Sequence, residues 1–187
     1  SGGETSLAEH VSLFTIQTNF VFGLTLVLSA FVRRASLPRW WDHLRGALTF
    51  YLVMAGIVYA LLVAPPGEFW SWNIDWPNLA MHRVAPLFAV ADWLLVTMRT
   101  RAGWLRPLAW MIYPAAFLVY SWVRGAIVGW YPYDFLNPTL PGGWAAVLPM
   151  TGIVLVAFLT ISVIVHLLGN VRARLTARSE SREDGTA

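Results

Sequence analysis

Long apolar stretches alternate with short polar loops along the whole chain. They run from about 11 to 32, 46 to 64, 78 to 98, 104 to 129 and 144 to 168. At ~1.5 Å of rise per residue, about 20 apolar residues cross a hydrocarbon core of roughly 30 Å, so each stretch is long enough to span a membrane. The pattern predicts an all-α, polytopic helical bundle with five spans in a single transmembrane domain, residues 1–175. The charged tail that follows, 176–187, is expected to be disordered. Breaks fall at Arg33-Arg34, at Pro65-Pro66-Gly67 and in the Pro- and Gly-rich loop before Trp144. Two prolines lie inside spans. Pro114 interrupts the fourth, and Pro86 removes a hydrogen bond from the third and clashes with the carbonyl of His82, so that helix is expected to be irregular where the histidine sits.

Composition agrees with the pattern. Hydrophobic residues make up 57% of the chain and charged residues only 12%, too little polar surface to cover a soluble globule of this size. The lipid bilayer is thus the first expected partner. With no cysteine, there is no disulfide framework and no thiolate chemistry. All 13 basic residues are arginines, which together with abundant Ala, Leu and Gly hints at a GC-rich bacterial genome. Four fall between Arg33 and Arg45, three between Arg99 and Arg106, and four in the tail, with none in the intervening loops. The positive-inside rule then puts the N-terminus of this chain outside and the C-terminus in the cytoplasm, in a bacterial plasma membrane. Arginines scattered over separate loops form no basic face, so no nucleic-acid partner is expected. Ser36–Arg45 reads as an interfacial segment, and His43 and His166 as interfacial histidines. The tryptophans at span ends, Trp72 among them, read as membrane-interface belts.

Candidate chemistry gathers at the outer ends of the first and third spans. Thr15, Thr18, Asn19, Phe22 and Gly23 share one helical face, and a polar stripe of this kind is expected to turn inward, away from lipid. His82 starts the third span at a comparable depth. A threonine hydroxyl becomes a nucleophile when a neighbouring base takes its proton, and histidine is the usual base. Two roles stay open for each residue. Membrane threonines commonly bond to their own helix, and a histidine in a span can be part of a structural polar network. Asn19, with Gln17 and Arg124 behind it, could stabilise a developing negative charge. Asp92 lies roughly 15 Å below His82 along the helix, too far to orient it, so that helix offers no third triad member, and Asp75 and Asp134 in the outer loops stay open as candidates. No histidine or acid spacing matches a metal site, and no cofactor is expected. The oligomeric state stays open.

Three motifs together resemble the androgen-induced, FAR-17a-like family of membrane proteins. They are Phe14-Thr15-Ile16-Gln17-Thr18-Asn19, Met81-His82 with Ala85-Pro86-Leu87, and Gly129-Trp130-Tyr131-Pro132-Tyr133-Asp134-Phe135-Leu136. The resemblance covers nearly the whole chain to Leu168 and is closest to bacterial relatives. It implies a threonine hydrolase of lipid esters, the animal members cleaving fatty acid esters of hydroxy fatty acids. Carried over by motif, Thr15 is the nucleophile, Thr18 the fallback, and His82 the base. The family usually has one more helix before the threonine, giving six spans, so the resemblance also implies a chain trimmed after that helix. The alternative from another class is a non-catalytic membrane protein that binds a lipid or a membrane partner.

Overall fold

The structure is a computed structural model that describes residues 6–71, 75–96, 98–99 and 102–184. Trp72, Arg101 and the chain ends 1–5 and 185–187 lie outside the described residues. The helices are α1 (Leu7–Val11), α2 (Phe14–Phe31), α3 (Trp40–Val58), α4 (Trp76–Leu79), α5 (Ala85–Leu95), α6 (Arg106–Trp110), α7 (Ile112–Val128) and α8 (Gly143–Asp184). No strand occurs among the described residues. Four helical stretches are long and apolar enough to cross a membrane: Phe14–Phe31, Trp40–Val63, Arg106–Val128 and Gly143–Ser179. That length and hydropathy are the signature of a membrane protein.

The third predicted span is built differently from the others. α4 passes into a π-helical turn, Ala80–Val84, and then into α5. In this turn the Ala85 N–H donates to the carbonyl of Ala80, five residues back. Pro86 is the physical cause, since it has no N–H to offer the His82 carbonyl. Gly56 of α3 packs against that carbonyl, so closely that a Cβ there would sit 2.8 Å from the oxygen. Pro114 acts in the same way at the α6–α7 junction. It leaves the Trp110 carbonyl unclaimed, and the Tyr51 hydroxyl donates to it at 2.8 Å.

α3 is the central helix. Of its most apolar window 61% is buried, against 22–28% in the other three spanning stretches. Phe50, Leu52 and Met54 are almost completely enclosed. Phe14 at the start of α2 meets Tyr51 of α3, Tyr113 and Phe117 of α7 and Phe158 of α8, with ring centroids 5.3–5.9 Å apart. This aromatic cluster ties four helices together. Such edge and tilted contacts are each worth about 0.5–1.5 kcal/mol beyond area burial.

Three expectations are corrected toward the other end of the bundle. The second span starts at Trp40, and Asp42 and Arg45 lie inside it, buried, instead of at an interface. They can do so because they are paired. Arg45 bonds to the Asp92 carboxylate at 2.7 Å and to the carbonyls of Asp92 and Val96, which close the C-terminus of α5. Arg99 bonds to Asp42 at 2.9 Å and to the carbonyls of Leu37 and Pro38. A cation at a helix C-terminus is favoured by the helix dipole as well as by the ion pairs. His166 is also buried, 1% exposed, with its Nε2 on Asn170. The tail expected to be disordered continues α8 as helix to Asp184. Arg, Leu, Ala and Glu are good helix formers and carry the helix beyond its apolar part.

Candidate functional site

Between α2, α3, α7, α8 and the segment of α4 and its π-helical turn, bordered by the loop after α7, lies a half-open cavity of about 340 Å³. This is near the lower end of the range for small-molecule sites, about 300–1,000 Å³. Most of its wall is apolar, from Leu13, Ala55, Val58, Pro114, Phe117, Leu118, Val154, Leu155 and Phe158. Its polar lining is Thr15, Tyr59, Asn78, His82, Tyr133 and Thr151. No charged residue lines it among the described residues. Thr15 and His82, 67 positions apart in sequence, therefore reach one half-open space.

His82 is held on two sides. Its ring stacks on Tyr59, with centroids 3.8 Å apart and planes 14° from parallel. Tyr59 is itself pinned, because its hydroxyl donates to Glu68 Oε1 at 2.6 Å. The two rings each sit in a π-helical segment, Tyr59–Val63 and Ala80–Val84. On the other side His82 Nδ1 meets the Asn78 carbonyl at 3.3 Å. A carbonyl only accepts, so Nδ1 carries the proton in the neutral ring and Nε2 keeps its lone pair. Nε2 has no protein partner among the described residues. A backbone carbonyl thus takes the orienting place for which Asp75 and Asp134 were the sequence candidates.

Thr15 sits in the first turn of α2, which has no side-chain cap. Helix N-termini leave their first N–H groups unpaired. The Tyr133 hydroxyl lies beside the Thr15 hydroxyl and the N–H groups of Thr15 and Phe14, close enough for them to act on it electrostatically, but it forms no hydrogen bond of ordinary geometry with them. Burial pushes the Tyr133 phenol above its ordinary pKa, and those donors pull it the other way. A neutral phenol keeps a proton, and Tyr133 lines the cavity, so that proton can be donated toward it. The loop that carries Tyr133 is well anchored. Gly129, with φ of +72°, ends α7 and turns the chain back. Arg124 lies over Trp130 at 4.6 Å, the Tyr131 ring covers Gly125, and Tyr133 stacks on Phe135.

The remaining sequence candidates divide clearly. Thr18 is buried and donates to the carbonyls of Phe14 and Thr15, within its own helix. The Asn19 amide donates to the Thr15 carbonyl at 2.9 Å, and the residue lines a separate apolar groove with Phe22, Gly23 and Met81. Gln17 accepts from Tyr113 at 2.6 Å and donates to the Val11 carbonyl, clamping the α1–α2 joint to α7. Arg124 holds the loop. None of these four lines the cavity. Tyr133 and Thr151 do, and both were missed as site residues. Tyr133 stood within a quoted motif, whereas nothing marks Thr151 in sequence. No direct hydrogen bond joins Thr15 to His82. The chain matches no family model, no curated protein and no solved structure.

Proposed function

We propose that the protein is a membrane-embedded hydrolase of lipid esters, with Thr15 as nucleophile and His82 as general base. One observation carries the proposal: a threonine and a histidine with a free Nε2 line the same apolar cavity. Thr15 Oγ1 attacks the ester carbonyl while His82 Nε2 takes its proton. The Tyr133 hydroxyl donates to the oxyanion that forms. His82 then returns the proton to the leaving alcohol, and the acyl group stays on Thr15. Water attacks this second ester, gives its proton to His82, and releases the acid as Thr15 recovers its hydrogen. For this sequence to start, Thr15 Oγ1 must come within hydrogen-bond reach of His82 Nε2, a change that substrate entry would bring about. Catalytic hydrogen bonds are often unformed until substrate is bound.

The resemblance to the FAR-17a-like family supports the same chemistry, and fatty acid esters of hydroxy fatty acids are the first substrates to try. Topologically, α4 to α5 with its π turn serves as a third span of five. The N-terminus of this chain is outside, the C-terminus cytoplasmic, and the membrane the bacterial plasma membrane. The test is hydrolysis of a panel of long-chain esters by purified protein in detergent, with Thr15→Ala and His82→Ala shown to be folded. Loss of the base should lower turnover by about 10²–10⁴-fold, and loss of the nucleophile by at least as much. Unchanged turnover in either variant would rule out the pair.

One observation favours a second reading, a non-catalytic lipid-binding protein. The Thr15 hydroxyl makes no hydrogen bond to His82, as a threonine with no catalytic role need not. Under that reading lipid esters bind, the wild type never turns them over, and His82→Ala lowers stability alone.

A further inference from the structure

Hydroxyls in apolar helices normally donate to a carbonyl three or four residues back, which satisfies them without a neighbour. Thr18, Thr25, Thr49, Ser121, Thr160 and Ser162 all do so, at 2.7–2.9 Å. Thr151 of α8 departs from this rule. It is 6% exposed, its Oγ1 has no hydrogen-bond partner, and it lines the cavity that holds Thr15 and His82. A buried hydroxyl left unpaired is unfavourable, and such groups in native proteins usually have a partner that arrives from elsewhere.

The surroundings define that partner. Thr151, Val154, Leu155 and Phe158 fall at i, i+3, i+4 and i+7, one face of α8, and all four line the cavity. Thr151 is the polar rung on an otherwise apolar strip. Nearby, the Tyr133 hydroxyl also has a proton to donate, while His82 Nε2 is the free acceptor. Donors facing an apolar space match a group that only accepts hydrogen bonds. With no cation in the lining, the matching group is neutral, an ester and not a carboxylate.

We propose that Thr151 is a substrate-positioning residue whose Oγ1–H donates to an oxygen of a neutral long-chain ester, with the α8 strip taking the apolar chain. This rests on the ester-hydrolase reading for the identity of the ligand, but its test needs no turnover. Binding of methyl palmitate is measured in the folded Thr15→Ala protein, with Thr151→Val and Thr151→Ser added to that background. Valine keeps the shape and removes the hydroxyl, while serine keeps the hydroxyl. A lost neutral hydrogen bond should weaken binding roughly 5- to 10-fold in the valine variant, with serine restoring it. The melting temperature of the valine variant should be unchanged or higher, because an unpaired polar group has been removed. Equal binding by the valine and parent proteins would overturn the assignment, as would a lower melting temperature with valine, which would reveal a structural partner. In the otherwise native protein the same substitution should raise KM more than it lowers kcat. Absence of turnover in the wild type would refute the hydrolase and leave the binding result standing.

Discussion

Two threonines one helical turn apart, Thr15 and Thr18, have opposite surroundings. Thr18 is closed off by carbonyls of its own helix, whereas Thr15 lines the cavity beside Tyr133. At this scale Tyr133→Phe is the informative change, because it removes a single oxygen and keeps the ring against Phe135. If Tyr133 stabilises the oxyanion, kcat should fall by about 10²–10³-fold, the usual cost of losing one such donor. Steady-state hydrolysis with a folding control measures it, and a kcat within a factor of two of wild type would remove Tyr133 from the mechanism. His82 stood out in the sequence as an ionisable ring in an apolar span, whereas spacing left a structural role open for Thr15 and only the family resemblance singled it out as nucleophile. The sequence could not rank Asn19, Gln17 and Arg124, since whether an amide or guanidinium meets a cavity, a carbonyl or a ring depends on rotamers and neighbouring helices. Thr151 was invisible because its distinction is a missing bond.

Among the elements, the irregular ones build the site. Pro86 was readable as a disturbance of the helix at His82, and the π turn at Ala80–Val84 is the form that disturbance takes. Its consequence for α3 was not readable, because only the packed structure shows Gly56 lying against the freed His82 carbonyl. A methyl group there must push the His82 turn away from α3 and from the stacking partner Tyr59. Gly56→Ala should therefore destabilise the protein by about 1–3 kcal/mol, the usual cost of overpacking, and lower turnover even in the folded fraction. Thermal unfolding and hydrolysis together check both effects, and a neutral outcome in both would mean the close packing at Gly56 has no role. The boundary of α3 was misplaced for a related reason. Charges argue against a span when read singly, yet Asp42 and Arg45 enter the bundle as members of a paired network.

For the whole molecule, hydropathy made the helical membrane architecture plain, and five apolar stretches correspond to four long apolar helices plus the broken α4–α5 unit. The separation of the two ends of the bundle was not plain. One end carries the neutral cavity, the other the ion pairs of Asp42, Arg45, Asp92 and Arg99. Removing one partner leaves a buried charge uncompensated. Arg45→Leu should cost about 3–5 kcal/mol of stability while leaving kcat per folded molecule near wild type, since Arg45 lies outside the cavity lining. A large loss of kcat without a loss of stability would show that the two ends are coupled.

Covalent chemistry at Thr15 is tested by mass mapping of the acyl group after brief incubation with a long-chain p-nitrophenyl ester. A burst of p-nitrophenol and an acyl mass on Thr15, absent in Thr15→Ala, are expected. An acyl group on Thr18 or another residue, or continued turnover by Thr15→Ala, would contradict that chemistry.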